Sequence, residues 1–525
     1  MIDDTGPTPR RGGWPIAPVI YEIYPRSFRD TTGSGEGDLR GVMEGLDHVA
    51  SLGVDAIWIT PFFVSPHVDG GYDVADHRQV DPRYGTMADF DRLVSRAHDL
   101  DLKVMIDQVL NHTSDQHPWF QRAIEGDAEF ADRYLWVDPK RDGTAPNNWL
   151  SQFGPPAWTW NHKRRQYYFH QFLACQPSLN LRNEAVQEKH RAEIQCWRDR
   201  GVDGFRFDAT TSYLYDTSLK DNPPASAEVQ DKVSGENFVP YTYQDHVYDM
   251  LPGDGVAYTK KLRDWAGDDA FLLGEITSGN QSVELASQMV ATDQLDACYT
   301  TDMPEGKGTP KVVADILSRQ DKTASAWWMS SHDQPRHVTA AGDGSDRDAR
   351  LFAMQCAVLP GPWMIYQGEE LALPQPDLTK EETTDPLDLL YWPDGPGREG
   401  PRVPLPWHEG ADHYGFTSGT PWLPMRWPHG KAVMRQSEED GVAAFYTELL
   451  KIRKKYRLGE GSWTVEEATD HLLVLSRETP EGHFRAIFNH GQEPRDRADQ
   501  EGDLVFSSEA DDGLSARVGI LLTRP

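Results

Sequence analysis

Three short apolar runs in this chain each end in a carboxylate: GFRFD at Asp208, FLLGE at Glu275 and WWMSSHD at Asp333. Packing alone explains such runs poorly, because an unpaired charge in a dry interior is costly. The acids lie 67 and 58 residues apart. That spacing suggests delivery to one rim by successive units of a repeating fold.

Eight β-type runs can be marked out: 19–28, 54–63, 103–112, 204–209, 271–276, 297–303, 326–333 and 363–369. Amphipathic helical stretches lie between several of them. Leu39, Val42, Met43, Leu46 and Val49 follow an i, i+3, i+4, i+7 pattern after the first run, and Met87, Phe90, Leu93, Val94, Ala97 and Leu100 after the second. Val186, His190, Ile194 and Trp197 line one face before the fourth. Strands alternating with helices imply a parallel sheet, and eight such units imply a closed (β/α)8 TIM barrel of α/β class. The spacing is uneven. Residues 113–182, rich in Trp, Pro, Asn and Asp with one strong β stretch at 166–173, read as a small α+β domain inserted after strand three. A second excursion, 371–430, holds eleven prolines between 374 and 428 and reads as a long structured loop after strand eight. From about 455 the tail alternates hydrophobics in short strands. The expected division is a barrel at 1–112 and 183–454, the insert at 113–182 and a C-terminal β-sandwich at 455–525.

Composition narrows the functional classes. With 525 residues, 38% of them hydrophobic, the chain can bury a large core. A net charge of −31 argues against nucleic acid or an anionic membrane as partner. The Lys-Arg-Arg run at 163–165 reads as surface of the insert. The N-terminal stretch has no apolar core of signal-peptide type, and no run of about 18 apolar residues occurs. Cys175, Cys196, Cys298 and Cys356 show no CxxC spacing and read as free thiols, with the cytoplasm as the expected compartment.

In an eight-fold barrel the active site lies at the carboxyl ends of the strands. Asp208, Glu275 and Asp333 fall there, with His112 closing the third run and His332 preceding Asp333. Any one of these is explicable as a strand-end charge with a local counterion; five at homologous places point to a site. Arg206, two residues before Asp208 and on the same side of the strand, is expected to keep Asp208 ionised. The run ending at Glu275 holds no cation, so Glu275 is expected to carry the proton. One bare and one protonated acid suit cleavage of a glycosidic bond.

The segments DQVLNH (107–112), GFRFDA (204–209), LLGEI (272–276) and SSHD (330–333) resemble the four signature segments of the α-amylase family of glycoside hydrolases. GGYDVADHRQVDPRYGTMADF (70–90), HTSDQHPWF (112–120), PNNWLSQFG (146–154), YYFHQF (167–172), LKDNPP (219–224), YQGEEL (366–371) and GREGPRVPLPW (397–407) are similar to its oligo-1,6-glucosidase branch. The resemblance, which runs from about residue 18 to 430, implies a retaining α-glucosidase. Asp208 would be the nucleophile and Glu275 the acid and then the base, with carboxyls about 5–5.5 Å apart. Asp333 would grip sugar hydroxyls most strongly in the transition state. His112 and His332 would donate to glucose hydroxyls, Tyr72 would stack on the ring, and Phe153 and Phe172 would wall the pocket. Asp73 and Arg402 would close it and hold the terminal glucose, making the enzyme exo-acting on short oligosaccharides or disaccharides. Ala209, small where 1,6-preferring relatives often carry valine, implies maltose- or sucrose-like substrates, α-1,4 favoured over α-1,6.

Two features depart from the branch. Its loop after the first strand usually binds calcium or magnesium. Here DTTGSGEGD (30–38) retains Asp30 and Asp38 but has Thr32 and Ser34 where an amide and a carboxylate are usual, so affinity for a hard cation is expected to be weakened or lost. Catalysis itself is expected to require no cofactor. Ser331 replaces the asparagine before the histidine. Transfer of glucose to an acceptor, sucrose or maltose isomerisation, and a catalytically silent scaffold are the competing readings; retention of all three acids disfavours the last.

Overall fold

Seven of the eight expected runs pair as parallel strands of one sheet in the computed structural model, which describes residues 11–227, 239–277, 281–290, 294–320, 324–494, 502–509, 515 and 517–523. They are β1 (Val19–Ile23), β2 (Ala56–Ile59), β3 (Lys103–Gln108), β4 (Gly204–Phe207), β5 (Phe271–Ile276), β6 (Ala297–Thr300) and β7 (Trp363–Tyr366), in the order β6-β5-β4-β3-β2-β1-β7. The expected strand at 326–333 makes only isolated bridges, Trp327 with Trp363 and Ser331 with Gln334, and Ser325 just before it bridges Cys298. It nevertheless touches both outer strands: the Ala326 N–H donates to the Cys298 carbonyl at 2.7 Å and the Met364 N–H to the Trp327 carbonyl at 2.8 Å. The cylinder closes there without a regular ladder.

Alternation along each strand divides the core in two. Ile20, Ala56, Trp58, Met105, Phe271, Leu273, Ala297, Tyr299, Ala326, Trp328 and Met364 cluster as the filling of the barrel. Two residues further along the same inward rows come Glu22, Asp107 and Glu275, and Asp208 follows Arg206 just past the end of β4, so the filling turns from apolar to charged toward the carboxyl ends.

Helices cover the outside as their periodicity predicts. Helix α1 (Leu39–Leu52) buries Leu39, Val42, Leu46 and Val49, is capped by the Asp38 side chain, and stops at Gly53, whose φ of 93° is open to a residue lacking Cβ. Helix α2 (Met87–Asp99) starts with a reciprocal capping box between Thr86 and Asp89, and α3 (Glu184–Arg198) buries Val186, His190, Ile194 and Trp197. No helix among the described residues is long and apolar enough to cross a membrane.

Between β3 and α3 a three-stranded antiparallel sheet (Trp136–Val137, Gln166–Phe169 and Trp158–Asn161, in that order) stands apart from the barrel sheet. The stretch 371–430 contains no strand and folds back over the start of the chain. The Leu405 N–H donates to the Ser27 carbonyl, and the Trp407 indole to that of Phe28. Beyond α4 (Asp346–Val358) and α5 (Val442–Lys455), the tail forms a five-stranded antiparallel sheet from β8 (Ser462–Ala468), β9 (Leu472–Thr479), β10 (Gly482–Asn489), β11 (Leu504–Ser507) and β12 (Val518–Thr523), ordered β8-β9-β10-β12-β11. One face, with Leu473, Leu475, Phe484 and Phe488, joins the main core; the other, with Leu472, Val474, Ile487, Ile520 and Leu522, is a separate buried cluster. The second layer expected of a sandwich is not among the described residues. The first ten residues of the N-terminal stretch also lie outside them.

Candidate active site

Asp107, Arg206 and Glu275 are brought together by register. Asp107 on β3 is the parallel partner of Arg206 on β4, and Glu275 on β5 is the partner of Tyr299 on β6. Arg206 is the hub. Its Nη1 donates to both oxygens of Asp107 (2.8 and 3.0 Å) and to Oδ1 of Asp208 (2.7 Å). Its Nη2 lies 2.8 Å from Oε2 of Glu275, and the Tyr299 hydroxyl accepts from Nε and Nη2 at 2.9 and 2.7 Å.

Three carboxyl groups therefore share one guanidinium, which corrects the expected electrostatics. Arg206 does touch Asp208, but burial pushes the Asp208 carboxyl well above the usual carboxylate range, with Glu275 and Asp107 adding to that rise and Arg206 opposing it. Burial raises Asp107 too. Burial thus favours the protonated form of Asp208 and Asp107, and acids this close to one another titrate together rather than singly. Nor is Glu275 without a cation, because the arginine of the neighbouring strand reaches it.

The hydrogen bonds sort the oxygens. Ala209, in the left-handed region at φ 43° and ψ 51°, donates its N–H to Oε2 of Glu275 at 2.9 Å. Oε2 thus faces two donors, and a proton on Glu275 sits on Oε1. Asp208 likewise has Oδ1 pinned by Arg206, while no hydrogen bond or ion pair among the described residues engages Oδ2.

Asp333 stands a few residues past the bridge that closes the barrel, with its side chain about one-third exposed. Oδ1 accepts from Nε and Nη2 of Arg398 (3.0 and 2.8 Å) and from Nη2 of Arg402 (2.7 Å), and Oδ2 lies 3.0 Å from Nε2 of His332. Although burial opposes charge on Asp333, these cations hold its carboxyl well below the usual range. Nδ1 of His332 meets Oε1 of the buried Glu22 at 2.5 Å. Burial works against charge on His332 as well, but Asp333 and Glu22 outweigh it and lift the imidazole to about 9. His332 is therefore a cation at neutral pH. His112 is its opposite: burial pushes it down to about 4, and its Nε2 lies 3.0 Å from the Tyr72 carbonyl.

Tyr72 lies flat against His332, with centroids 5.3 Å apart and planes 6° from parallel, and donates its hydroxyl to Asp107 at 2.9 Å. Phe172 packs on His112 at 5.2 Å and on Phe153 at 6.1 Å, and Phe153 lies beneath Arg398.

The expected meeting of Asp73 with Arg402 does not form. The Asp73 carboxylate is consumed by its own turn, accepting from the Ser65 hydroxyl and the Val68 and Asp69 N–H groups. Arg402 turns to Asp333, to Asp385 at 3.0 Å and to the His332 carbonyl at 2.8 Å. The acid of this loop that faces the site is Asp69, 3.2 Å from Arg398 and bonded by Gln176 at 2.9 Å. Asp69, Arg398, Asp385, Glu22, Asp107 and Tyr299 were all missed as site residues from sequence. For Glu22 and Asp107 a signal existed, because period 2 along their strands puts them on the inward face.

Asp30 and Asp38 belong to a loop whose acceptors are already filled. Asp30 takes the N–H groups of Thr32, Gly33 and Gly35 and the hydroxyls of Thr32 and Thr417. Asp38 takes those of Thr31 and caps α1 through Gly41, while Glu36 pairs with Arg26. These residues do not fit a hard cation, which needs oxygens with free lone pairs where this loop points donors. Among the described residues no group of three or more His, Cys, Asp or Glu side chains converges as a cation site.

Carboxyl groups gathered around one arginine at the carboxyl mouth of a cylinder of parallel strands suit the cleavage of a glycosidic bond. The chain belongs to the α-amylase family of glycoside hydrolases: the model of its catalytic domain matches residues 22–461. It is 42% identical over 503 residues to a probable α-glucosidase of Rhizobium meliloti (strain 1021), covering 92% of this chain and 90% of the relative. It is 32% identical to an oligo-1,6-glucosidase of Heyndrickxia coagulans, over 96% of this chain and 97% of that one. Among solved structures, the α-glucosyl transfer enzyme XgtA superposes with a TM-score of 0.91 at 38% identity, over 99% of this chain and all of the other.

Proposed function

We propose that this glycoside hydrolase is a retaining, exo-acting α-glucosidase that releases glucose from the non-reducing end of short α-glucosides. The observation that carries the reading is the pinned-and-free pattern of the two carboxyls on Arg206. Oδ2 of Asp208 is free to attack the anomeric carbon while Oε1 of Glu275 gives its proton to the departing oxygen. The same Glu275 oxygen then takes a proton from the incoming water, which releases glucose from Asp208. The Asp333 carboxylate and the His332 cation hold the sugar hydroxyls and favour the flattened ring. No step runs through a metal. The Asp69–Arg398 bridge links the loop after β2 to the loop after β7 and supports a blind pocket for one glucose. Unpaired cysteines, two of them buried, support a reducing compartment.

Ala209 leaves only a methyl group beside the two acids, which supports maltose- or sucrose-like substrates over α-1,6 bonds. Since water and sugar alcohols compete for the same intermediate, transfer accompanies hydrolysis. A dedicated transferase is the second reading, favoured by the likeness to a structure named for glucosyl transfer. Product analysis on maltose, sucrose and isomaltose, with and without an added acceptor, tests both. Isomaltose cleaved faster than the other two would remove the linkage assignment. Transfer product in excess of free glucose without added acceptor would favour the transferase.

A further inference from the structure

Behind the two arginines that hold Asp333 lies a third acid that the mechanism does not use. Asp385 is fully buried and fixed at both oxygens. Oδ1 caps the short helix Pro386–Leu390, accepting from the Leu387 and Asp388 N–H groups at 2.9 Å each. Oδ2 takes Nη1 of Arg402 at 3.0 Å and lies 3.5 Å from Nη1 of Arg398. The loop bearing both arginines is tied to the same helix, with Asp388 accepting from the Gly397, Arg398 and Glu399 N–H groups at 2.7, 3.1 and 2.8 Å. Glu399 returns the tie by accepting the Asp385 N–H.

Each nitrogen of the Arg402 guanidinium is thereby directed. Nη1 goes back to Asp385, Nε goes sideways to the His332 carbonyl, and Nη2 goes forward to Asp333. We propose that Asp385 is a positioning residue for glucose recognition. It anchors Arg402 and Arg398 from behind and takes up part of their charge, so that Asp333 is aimed but not fully neutralised and stays able to accept sugar hydroxyls. This rests on the reading of Asp333 as the sugar-holding acid.

Asparagine at 385 keeps the oxygen that caps the helix and removes the charge, whereas alanine removes both. The experiment compares wild type, Asp385→Asn and Asp385→Ala by hydrolysis of p-nitrophenyl α-glucoside across pH, by calorimetric titration with D-glucose, and by thermal denaturation. For Asp385→Asn the expectation is a KM raised about tenfold or more, a smaller change in kcat, weaker glucose binding and a Tm close to wild type. The alkaline limb of kcat/KM should move to lower pH. The groups facing His332 are Glu22, Asp333, Asp107, Tyr24 and Tyr72 and, through its carbonyl and Asp333, Arg402 and Arg398; losing a nearby anion leaves the arginines less compensated and disfavours the imidazolium. Asp385→Ala should add a loss of Tm. Wild-type KM, glucose affinity and pH limb in Asp385→Asn would overturn the proposal. A raised KM that comes only with a lost Tm and an unmoved pH limb would also overturn it, by showing a structural role alone. A wild type that binds glucose without hydrolysing α-glucosides would refute the glucosidase reading, and Asp385 would then be judged on binding.

Discussion

At the residue scale, the division of labour between Asp208 and Glu275 makes two separable predictions. Replacing Glu275 by Gln removes the proton donor and keeps the shape, so maltose hydrolysis should fall by about 10²–10⁴. The p-nitrophenyl glucoside should lose much less in its glucosylation step, because nitrophenolate leaves without protonation. Equal losses on the two substrates, measured as kcat/KM, would remove Glu275 from the acid role. Replacing Asp208 by Asn should abolish turnover and raise Tm. The folded-state pKa of Asp208 lies well above its unfolded value of about 3.9. The folded chain therefore binds more protons than the unfolded one between those values, and stability falls as pH rises through the folded value. The Tm advantage of Asp208→Asn should accordingly be small at acid pH and grow toward neutral pH; an advantage that shrinks as pH rises would contradict it. The acids that end apolar runs were legible because a charge there has no packing rationale. Asp69 was not, because two acids flank the same glycine-tyrosine turn and sequence does not say which one turns inward.

At the element scale, patterning recovered the helices well. Caps and apolar stripes are local and leave their marks at fixed offsets, as Asp38 before α1 and Thr86 with Asp89 before α2 show. The run at 326–333, expected as a strand, forms no regular ladder, because β-rich composition does not reveal which groups take its hydrogen bonds. The Trp328 indole goes to the Thr300 carbonyl and the Ser330 N–H to Glu369, so side chains replace part of the ladder. The 30–38 loop yields the prediction at this scale. With the Asp30 and Asp38 oxygens satisfied by protein donors, a chelator should leave both Tm and activity unchanged. Asp38→Ala, which removes the cap of α1, should cost about 1 kcal/mol in denaturant unfolding. A Tm that falls on chelation and is restored by calcium or magnesium would show that the loop opens to a cation after all.

At the scale of the whole molecule, the question is how the β tail is joined to the barrel. Alternating hydrophobics foretold its strands, but composition does not mark the buried arginine that bonds it to the barrel. Arg477 on β9 donates to the Val358 carbonyl at the end of α4 (2.9 Å), to Ser462 (2.6 Å), and to Leu458 and Glu460 (2.6 and 2.8 Å). Within the barrel, Arg453 on α5 binds the neighbouring carbonyls of Ala357, Leu359 and Gly361. The hydrogen-bond partners of both guanidinium groups are carbonyls, and burial pushes Arg477 down to about 9 and Arg453 to about 10. Such cations are held because the carbonyls at the end of one element and the start of the next would otherwise be buried without donors. Arg477→Met keeps much of the volume and removes the donors, stranding four acceptors that cost about 1–3 kcal/mol each unless water reaches them. The expected result is loss of a single cooperative transition, with the tail melting below the barrel in calorimetry. kcat at 25 °C should be close to wild type, since none of the site residues named above lies beyond 455. A single transition at the wild-type temperature would mean that the apolar face alone holds the sheet to the barrel; a lost kcat would mean that the tail shapes the pocket from a distance.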